Sequence, residues 1–179
     1  PGPISSQTEQ DTRHFSRFSK LPCFDPSSAQ EAYEMIQEAF EYSEKYGTPV
    51  FLRPTTRVCH GYASIMVKDE TEYTHHQPEG FIKDSKRWVI FPRLSFMNHK
   101  KIEARNQELS DIFSSYEKNT IHPSCDAFKD SKKGIAAGGI SYTYTMETLK
   151  KTGMVKTLKV ATPHPFPEKL AVDFLSGLD

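Results

Sequence analysis

The clearest pattern of apolar positions lies between residues 29 and 46, where a helical period is kept over several turns. The positions that share one face of this predicted helix are Ala32, Ile36, Ala39, Phe40 and Ser43. Because an amphipathic helix turns its apolar face to a core, we expect Ile36 and Phe40 to be buried. Residues 48–53 form an apolar run closed by Pro54, and we expect a buried strand there, packed against that face.

End signals accompany this helix. Ser28 is a preferred N-cap residue, Glu31 completes a capping-box pattern, and Gly47 is the expected stop. Upstream, the pattern predicts a short helix over residues 11–19 and a short strand over residues 21–24. A strand, a helix of this length, a tight turn and a second strand form a βαβ crossover, so we expect the two strands to be parallel.

A second alternation of strands and helices closes the chain. It consists of a strand over 134–137, a helix over 142–151, a strand over 155–160 and a helix over 168–175. Before it we expect an extended segment at 88–92, a helix over 98–118 and a loop over 119–131. The alternation predicts an α/β fold with a small parallel sheet. Residues 68–84 are charged and show no period, which is typical of a linker.

Composition excludes several classes of function. Acidic and basic residues balance at 23 each, which argues against a nucleic-acid partner. No apolar run approaches the roughly 18 residues that span a membrane, and no signal peptide is visible, so we expect a cytoplasmic protein without membrane contact. Cys23, Cys59 and Cys125 are few and far apart, as in a reducing compartment. Without a Cys-x-x-Cys pair, we expect no iron–sulfur cluster held by the usual spacing.

Three motifs are better explained by ordinary structure than by chemistry. Cys59 and His60 are neighbours on an expected extended segment, where successive side chains point to opposite faces and cannot act as nucleophile and base. The set His60, His75, His76, His122 and Cys125 has no spacing typical of a zinc site. Gly138-Gly139 could present backbone N–H groups to a phosphate, or could form a tight strand-to-helix turn with Ser141 as cap.

The most polar stretch is residues 5–13, here called the polar segment, which contains no apolar residue. Aromatic residues follow it at Phe15 and Phe18, so it leads into packed structure. Such a segment is typical of a ligand-facing loop on a rigid scaffold. It is equally typical of a solvated loop that ends in an N-cap at Asp11 or Thr12.

Four stretches of the chain resemble the alpha subunit of indolepyruvate:ferredoxin oxidoreductases, which depend on thiamine diphosphate. They are residues 1–13, the run PVFLRPTTRVCH at 49–60, GIAAGGISY at 134–142 and PHPFP at 163–167. Each motif is short, but together they extend nearly from end to end, which makes chance similarity unlikely. The resemblance implies that this chain is an internal fragment of an enzyme subunit.

The resemblance implies a domain organisation. Residues 1–67 would be the C-terminal part of a parallel-sheet pyrimidine-binding domain, and residues 68–85 a linker. Residues 86–179 would be a truncated Rossmann-like α/β domain, flavodoxin-like or similar to the C-terminal domain of transketolases.

The resemblance also implies an activity, the oxidative decarboxylation of aryl 2-oxo acids to acyl-CoA with ferredoxin as electron acceptor. It implies thiamine diphosphate, Mg²⁺ and 4Fe-4S clusters in the complete enzyme, with none of them bound to this chain alone. A beta subunit, ferredoxin, coenzyme A and the 2-oxo acid are the implied partners. The activating glutamate is expected before Pro1 and the magnesium site after Asp179, so we expect neither a catalytic residue, nor a metal ligand, nor activity in the chain alone.

Within the polar segment, the resemblance implies that some side chains line the cofactor or substrate pocket. The candidates are Ser6, Gln7, Glu9, Gln10 and Arg13. Amides can hold a carbonyl or an aminopyrimidine without titrating, and a guanidinium binds a carboxylate at two points. Arg13 could instead pair with Glu9 across one helical turn at the surface.

Two other functions remain open. The chain could be a non-catalytic domain that binds or assembles subunits, or part of a pyruvate:ferredoxin oxidoreductase-type relative. The first alternative predicts no response to thiamine diphosphate and magnesium; the second differs mainly in segments that this chain lacks.

Overall fold

The computed structural model describes residues 11–73, 75, 77–122, 132–152 and 155–178. In chain order the elements are α1 (Thr12–Ser19), β1 (Cys23–Phe24), α2 (Ala29–Tyr46), β2 (Phe51–Leu52), α3 (Thr56–Cys59), a 3₁₀ turn (Glu70–Glu72), α4 (Ser85–Trp88), α5 (Pro92–Phe113), β3 (Thr120–His122), β4 (Gly134–Gly138), α6 (Gly139–Thr152), β5 (Lys156–Val160) and α7 (Glu168–Leu175). In the described part of the chain, no helix is long and apolar enough to cross a membrane.

The predicted ends of α2 are confirmed, with one correction. The Ser28 hydroxyl accepts the backbone N–H of Glu31, and Gly47 closes the helix in the left-handed conformation at φ 56°. The reciprocal bond of the capping box is replaced, because the Glu31 carboxylate accepts from the backbone N–H and hydroxyl of Ser27, at 2.9 and 2.8 Å. The same carboxylate also pairs with Lys159 on β5.

The first sheet is the predicted parallel pair. Strands β1 and β2 are in register with Cys23 opposite Phe51 and Phe24 opposite Leu52, and α2 is the crossover between them. This confirms the βαβ unit.

The second sheet is mixed, so the expectation of an all-parallel sheet was wrong. Strand β5 lies at its centre, parallel to β4 and antiparallel to β3. The predicted loop at 119–131 therefore begins with a strand, since residues 120–122 pair with β5; residues 123–131 lie outside the described residues. The strand was missed because three residues are too few to show a period.

The region before α5 also differs from expectation. Residues 85–88 form the short helix α4, capped by the Asp84 carboxylate, and α5 begins at Pro92 rather than near residue 98. Pro suits the first turn of a helix, where its missing N–H has no partner to lose. The segment 68–84 is irregular apart from its 3₁₀ turn, and it touches α2 through the Lys68 N–H, which donates to the Tyr33 hydroxyl at 2.8 Å.

Two groups of buried apolar side chains form the core. The larger contains Phe24, Met35, Ala39, Leu109, Phe113 and Ala161; the smaller contains Leu158, Ala171 and Phe174. The larger group draws residues from both sides of segment 68–85, so these two parts of the chain share one core. The assignment of 1–67 and 86–179 to two domains of a larger enzyme stays a prediction.

The buried face of α2 is not the predicted one. Phe40 is 67% exposed and Ile36 38% exposed, whereas Met35 and Ala39 are buried. Tyr42 and Tyr46 continue the buried stripe. The predicted and the observed buried faces share Ala39, and the helix is turned about its axis by one residue between them. The observed face is the one that carries Tyr42 and Tyr46, because it contacts α5.

Candidate functional site

Two oppositely charged residues follow the paired strands β1 and β2. Asp25 is the first residue after β1, and Arg53 is the first after β2. The Arg53 backbone N–H donates to the carbonyl of Phe24 at 2.8 Å, which continues the strand register to the Asp25–Arg53 pair. Arg53 Nη1 then donates to Asp25 Oδ1 at 3.0 Å, with the Asp25 side chain only 4% exposed.

The other sheet ends at the same place. The Asp25 N–H donates to the carbonyl of Ala161, directly after β5, at 2.8 Å. A Cβ added at Gly139, where β4 passes into α6, would lie 2.7 Å from Asp25 Oδ1. The carboxyl ends of β1, β2, β4 and β5 thus converge on Asp25. Ligands of open α/β sheets bind outside the carboxyl ends of strands, so this edge is the candidate site.

Arg53 also holds the start of α1. Its Nε donates to Thr12 Oγ1 at 3.0 Å, and its Nη2 lies 3.9 Å from Asp11 Oδ1. Arg13 in turn donates through Nε to Asp11 Oδ1 at 2.8 Å. We call Asp11, Thr12, Arg13, Asp25 and Arg53 the carboxyl-edge cluster.

The two carboxylates of this cluster differ electrostatically. Burial raises the pKa of Asp25 above its ordinary value, although Arg53 partly offsets this effect. Hydrogen bonds from Arg13 hold the pKa of Asp11 well below its ordinary value, against a smaller effect of burial. Asp11 therefore stays ionised over the whole working range of pH, while the charge of Asp25 depends on Arg53.

Of the predicted pocket residues, Arg13 belongs to this cluster. Its partner in the structure is the N-cap residue Asp11, and its side chain remains 56% exposed. Ser6, Gln7, Glu9 and Gln10 lie outside the described residues, and so does any pairing of Arg13 with Glu9.

The glycine pair is explained by Asp25. Helix α6 begins at Gly139, so Ser141 is inside the helix and is not its cap. The Asp25 carboxylate already lies against the first residue of the helix, where its negative charge is favourable and a phosphate would be repelled. The Gly138-Gly139 turn is therefore a close approach of backbone to a carboxylate, and an anion site there is not supported.

The other candidates of the sequence are not brought together. Cys59 lies at the end of helix α3, not on an extended segment, and its thiol contacts the Pro54 carbonyl at 3.8 Å. Among the described residues, no group of three or more His, Cys, Asp or Glu side chains could hold a metal ion. His76 and Cys125 are outside that range.

Sequence reasoning missed Asp25 and Arg53 as a pair. In the sequence, Asp25 begins an Asp-Pro-Ser run that is typical of a turn, and Arg53 is the last residue of a predicted strand. The sequence does contain an indication of this pair. Each residue directly follows or ends a predicted strand, and the first residues after two adjacent parallel strands meet at one edge of the sheet.

The Gly139→Ala variant should be clearly less stable than Gly47→Ala. Both glycines have left-handed backbone, at φ 51° and 56°, which costs an alanine about 1–2 kcal/mol. A methyl group at Gly47 meets open space, whereas at Gly139 it meets Asp25 Oδ1. We expect about 1–3 kcal/mol of additional loss at Gly139, measured by urea unfolding. Equal losses in the two variants would show that the Asp25 carboxylate moves aside freely.

Comparison with known proteins gives three representative relatives, each a protein named indolepyruvate oxidoreductase subunit IorA. The sequence is 37% identical to that of Methanothermobacter thermautotrophicus over 180 residues, 99% of this chain. It is 37% identical to that of Pyrococcus abyssi over 184 residues and 32% identical to that of Archaeoglobus fulgidus over 181 residues. The chain spans 28% of the length of each of these relatives.

No family model matches the chain. The relatives nevertheless cover practically all of it, including every motif that carries the resemblance. The resemblance is therefore confirmed: along its whole length this chain is homologous to a segment of indolepyruvate oxidoreductase subunit IorA.

Proposed function

We propose that this chain is part of an oxidoreductase that oxidatively decarboxylates aryl 2-oxo acids of the indolepyruvate type. In this proposal coenzyme A takes the acyl group and ferredoxin takes the electrons. The relatives' name supports the substrate class and the oxidoreductase chemistry. The beta subunit, the ferredoxin and the 4Fe-4S clusters are proposed from the family resemblance.

The observation that carries the proposal is the position of Arg13. Its guanidinium stands at the edge where four strands end, it is held there through Asp11, and more than half of its side chain is open to solvent. A guanidinium bound on one side by a carboxylate keeps donors on its other side. It can therefore bind the carboxylate of a 2-oxo acid in two-point fashion and orient it.

The described residues fit one part of thiamine diphosphate better than the other. The carboxyl-edge cluster offers carboxylate acceptors and guanidinium donors, which suit an aminopyrimidine ring or a substrate carboxylate. The end of the cofactor that carries the diphosphate and its magnesium does not fit here. The Asp25 carboxylate would repel the diphosphate at the start of α6, and no group of described side chains could hold the metal ion. When bound, the cofactor would stabilise the substrate carbanion; this chain would orient the substrate.

The test is the Arg13→Ala substitution in the full-length protein. If Arg13 binds the substrate carboxylate, we expect kcat/KM for indolepyruvate to fall by roughly tenfold or more, since a charge-assisted hydrogen bond contributes about 1.5–3 kcal/mol. Gln7→Ala and Gln10→Ala should have smaller effects in the same direction. The readout is single-substrate kinetics with ferredoxin or a dye as acceptor.

Arg17→Ala is the matched control, because Arg17 lies one turn further along α1 and outside the cluster. It should leave kcat/KM within twofold. Equal kinetics for Arg13→Ala and wild type, with folding intact, would leave Arg13 a surface ion pair and remove the main support for the proposal. We also expect the 179-residue chain alone to turn over no 2-oxo acid.

The alternative function is an assembly module without catalytic residues. The supporting observation is a run of exposed apolar side chains, which comprises Phe81, Ile82, Trp88, Val89, Ile90, Phe91, Phe96 and Met97. Exposed apolar patches of this kind mark contact surfaces. A thermal shift of the full-length protein on addition of magnesium and thiamine diphosphate would favour the enzyme; no shift would favour the module.

A further inference from the structure

A cavity of about 940 Å³ opens on the side of the molecule formed by α2, α4 and α5. Its walls are the C-terminal end of α2, residues 84–88 and the first half of α5. Its size is within the range of small-molecule sites, about 300–1,000 Å³. The carboxyl-edge cluster uses none of the residues that line this cavity, so a ligand bound here would occupy a second site.

The walls carry a surplus of positive charge. The cationic residues are Lys45, Lys86, Arg87, Lys101 and Arg105, and the acidic ones are Asp84 and Glu108. Among the described residues, none of these five cations forms an ion pair with a carboxylate. Asp84 is engaged in capping α4, where it accepts the Lys86 backbone N–H at 2.9 Å. Like charges gathered without counter-charges favour an anionic ligand.

Two buried polar atoms on the same walls have no partner within the described residues. They are the Tyr46 hydroxyl and Arg105 Nε. Arg105 is held in place by its Nη2, which donates to the Lys20 carbonyl at 3.3 Å. Because both atoms are closed to solvent, a ligand in the cavity would contact the cationic groups beside them and not these two atoms.

The cavity also has an aromatic wall. Trp88 is 50% exposed, and its Nε1 donates to the Ile82 carbonyl at 2.9 Å, which fixes the orientation of the indole. Arg87 lies over this ring, 4.6 Å from its centroid. A fixed, half-open indole beside cations suits a ligand with a flat ring next to its negative charges.

From the surplus of positive charge and the indole together, we propose that this cavity binds a phosphorylated ligand with a flat ring, the chemistry of a nucleoside diphosphate. The phosphates would lie among Lys45, Lys101 and Arg105, and the ring would lie against Trp88.

The chain provides its own probe, because Trp88 is its single tryptophan. The experiment titrates the 179-residue chain with ADP and follows tryptophan fluorescence. We expect a saturable change with a dissociation constant below about 1 mM, weakened by added salt. Adenosine lacks the two phosphates of ADP and pyrophosphate lacks its nucleoside, so both should bind more weakly than ADP.

Two neighbouring lysines give a matched pair of variants. Lys101 lines the cavity, whereas Lys100 does not and lies over the Phe96 ring. Both are exposed, so a substitution at either leaves the core intact. Lys101→Glu should weaken ADP binding by roughly tenfold or more, and Lys100→Glu by less than about twofold.

Absence of a saturable change with ADP, or the same ADP affinity in Lys101→Glu and wild type, would overturn the proposal. If pyrophosphate binds as tightly as ADP, the flat ring is not recognised and the assignment of the ligand class is wrong.

Discussion

The Arg53→Ala variant is expected to lose about 3–5 kcal/mol of its free energy of unfolding, because it leaves a buried carboxylate without its counter-charge. The Asp25 side chain is 4% exposed, and Arg53 is its ion-pair partner within the described residues. The same substitution also removes the donor to Thr12 Oγ1. Urea unfolding at neutral pH measures the loss.

The loss should depend on pH in a definite direction. The pKa of Asp25 is raised by burial in the native protein, and removal of Arg53 raises it further. A group with a raised native pKa stabilises the fold below its unfolded pKa, and this contribution is lost as the pH rises through the native value. The deficit of Arg53→Ala is therefore larger at neutral pH, shrinks as the pH falls through the raised native pKa of Asp25, and is smallest once the pH reaches about 4, the ordinary pKa of an aspartate.

The double variant Asp25→Asn with Arg53→Ala is the control. It removes the buried charge as well as its partner, so it should be more stable than Arg53→Ala at neutral pH and should lack this pH dependence. A deficit of the same size at every pH would show that Arg53 acts through packing and not through the charge of Asp25.

The second large effect is expected for Phe24→Ala, at about 3–5 kcal/mol. Phe24 is fully buried, and its ring lies 5.4 Å from Tyr42, 5.6 Å from Phe113 and 5.8 Å from Tyr116, in edge-to-face contacts. Its removal opens a cavity where β1, α2 and α5 meet. Thermal or urea unfolding of the variant measures the effect.

Phe40→Ala is the matched control for Phe24→Ala, since it makes the same chemical change on the exposed face of α2. With 67% of the side chain in solvent, we expect a change within about 0.5 kcal/mol. A large loss at Phe40 would mean that this face of α2 is covered in solution, as the sequence pattern indicates.

Local signals in the sequence predicted local structure well. The cap at Ser28, the left-handed stop at Gly47 and the short helix after Asp11 are each set by a few neighbouring residues, and each is found in the structure. The parallel pairing of β1 with β2 also followed from local information, because the connection between them is a single helix.

The features that the sequence could not predict depend on partners far along the chain. The buried face of α2 is chosen by Leu109 and Phe113 of α5. Strand β3 has its partner on β5, where Ile121 faces Leu158. The Asp25–Arg53 pair joins residues that occur in the sequence as a turn and a strand end, and only the register of two strands places them together.

Strand β1 has backbone partners on both of its edges, one near it in the sequence and the other more than 130 residues further along. On one edge, Phe51 donates to the Pro22 carbonyl; on the other, Cys23 and Asp25 donate to His164 and Ala161. During synthesis on a ribosome, the second edge stays open until His164 has emerged. A nascent chain that stops before Ala161 therefore exposes an unpaired strand edge, a recognised starting point for aggregation and a target for chaperones.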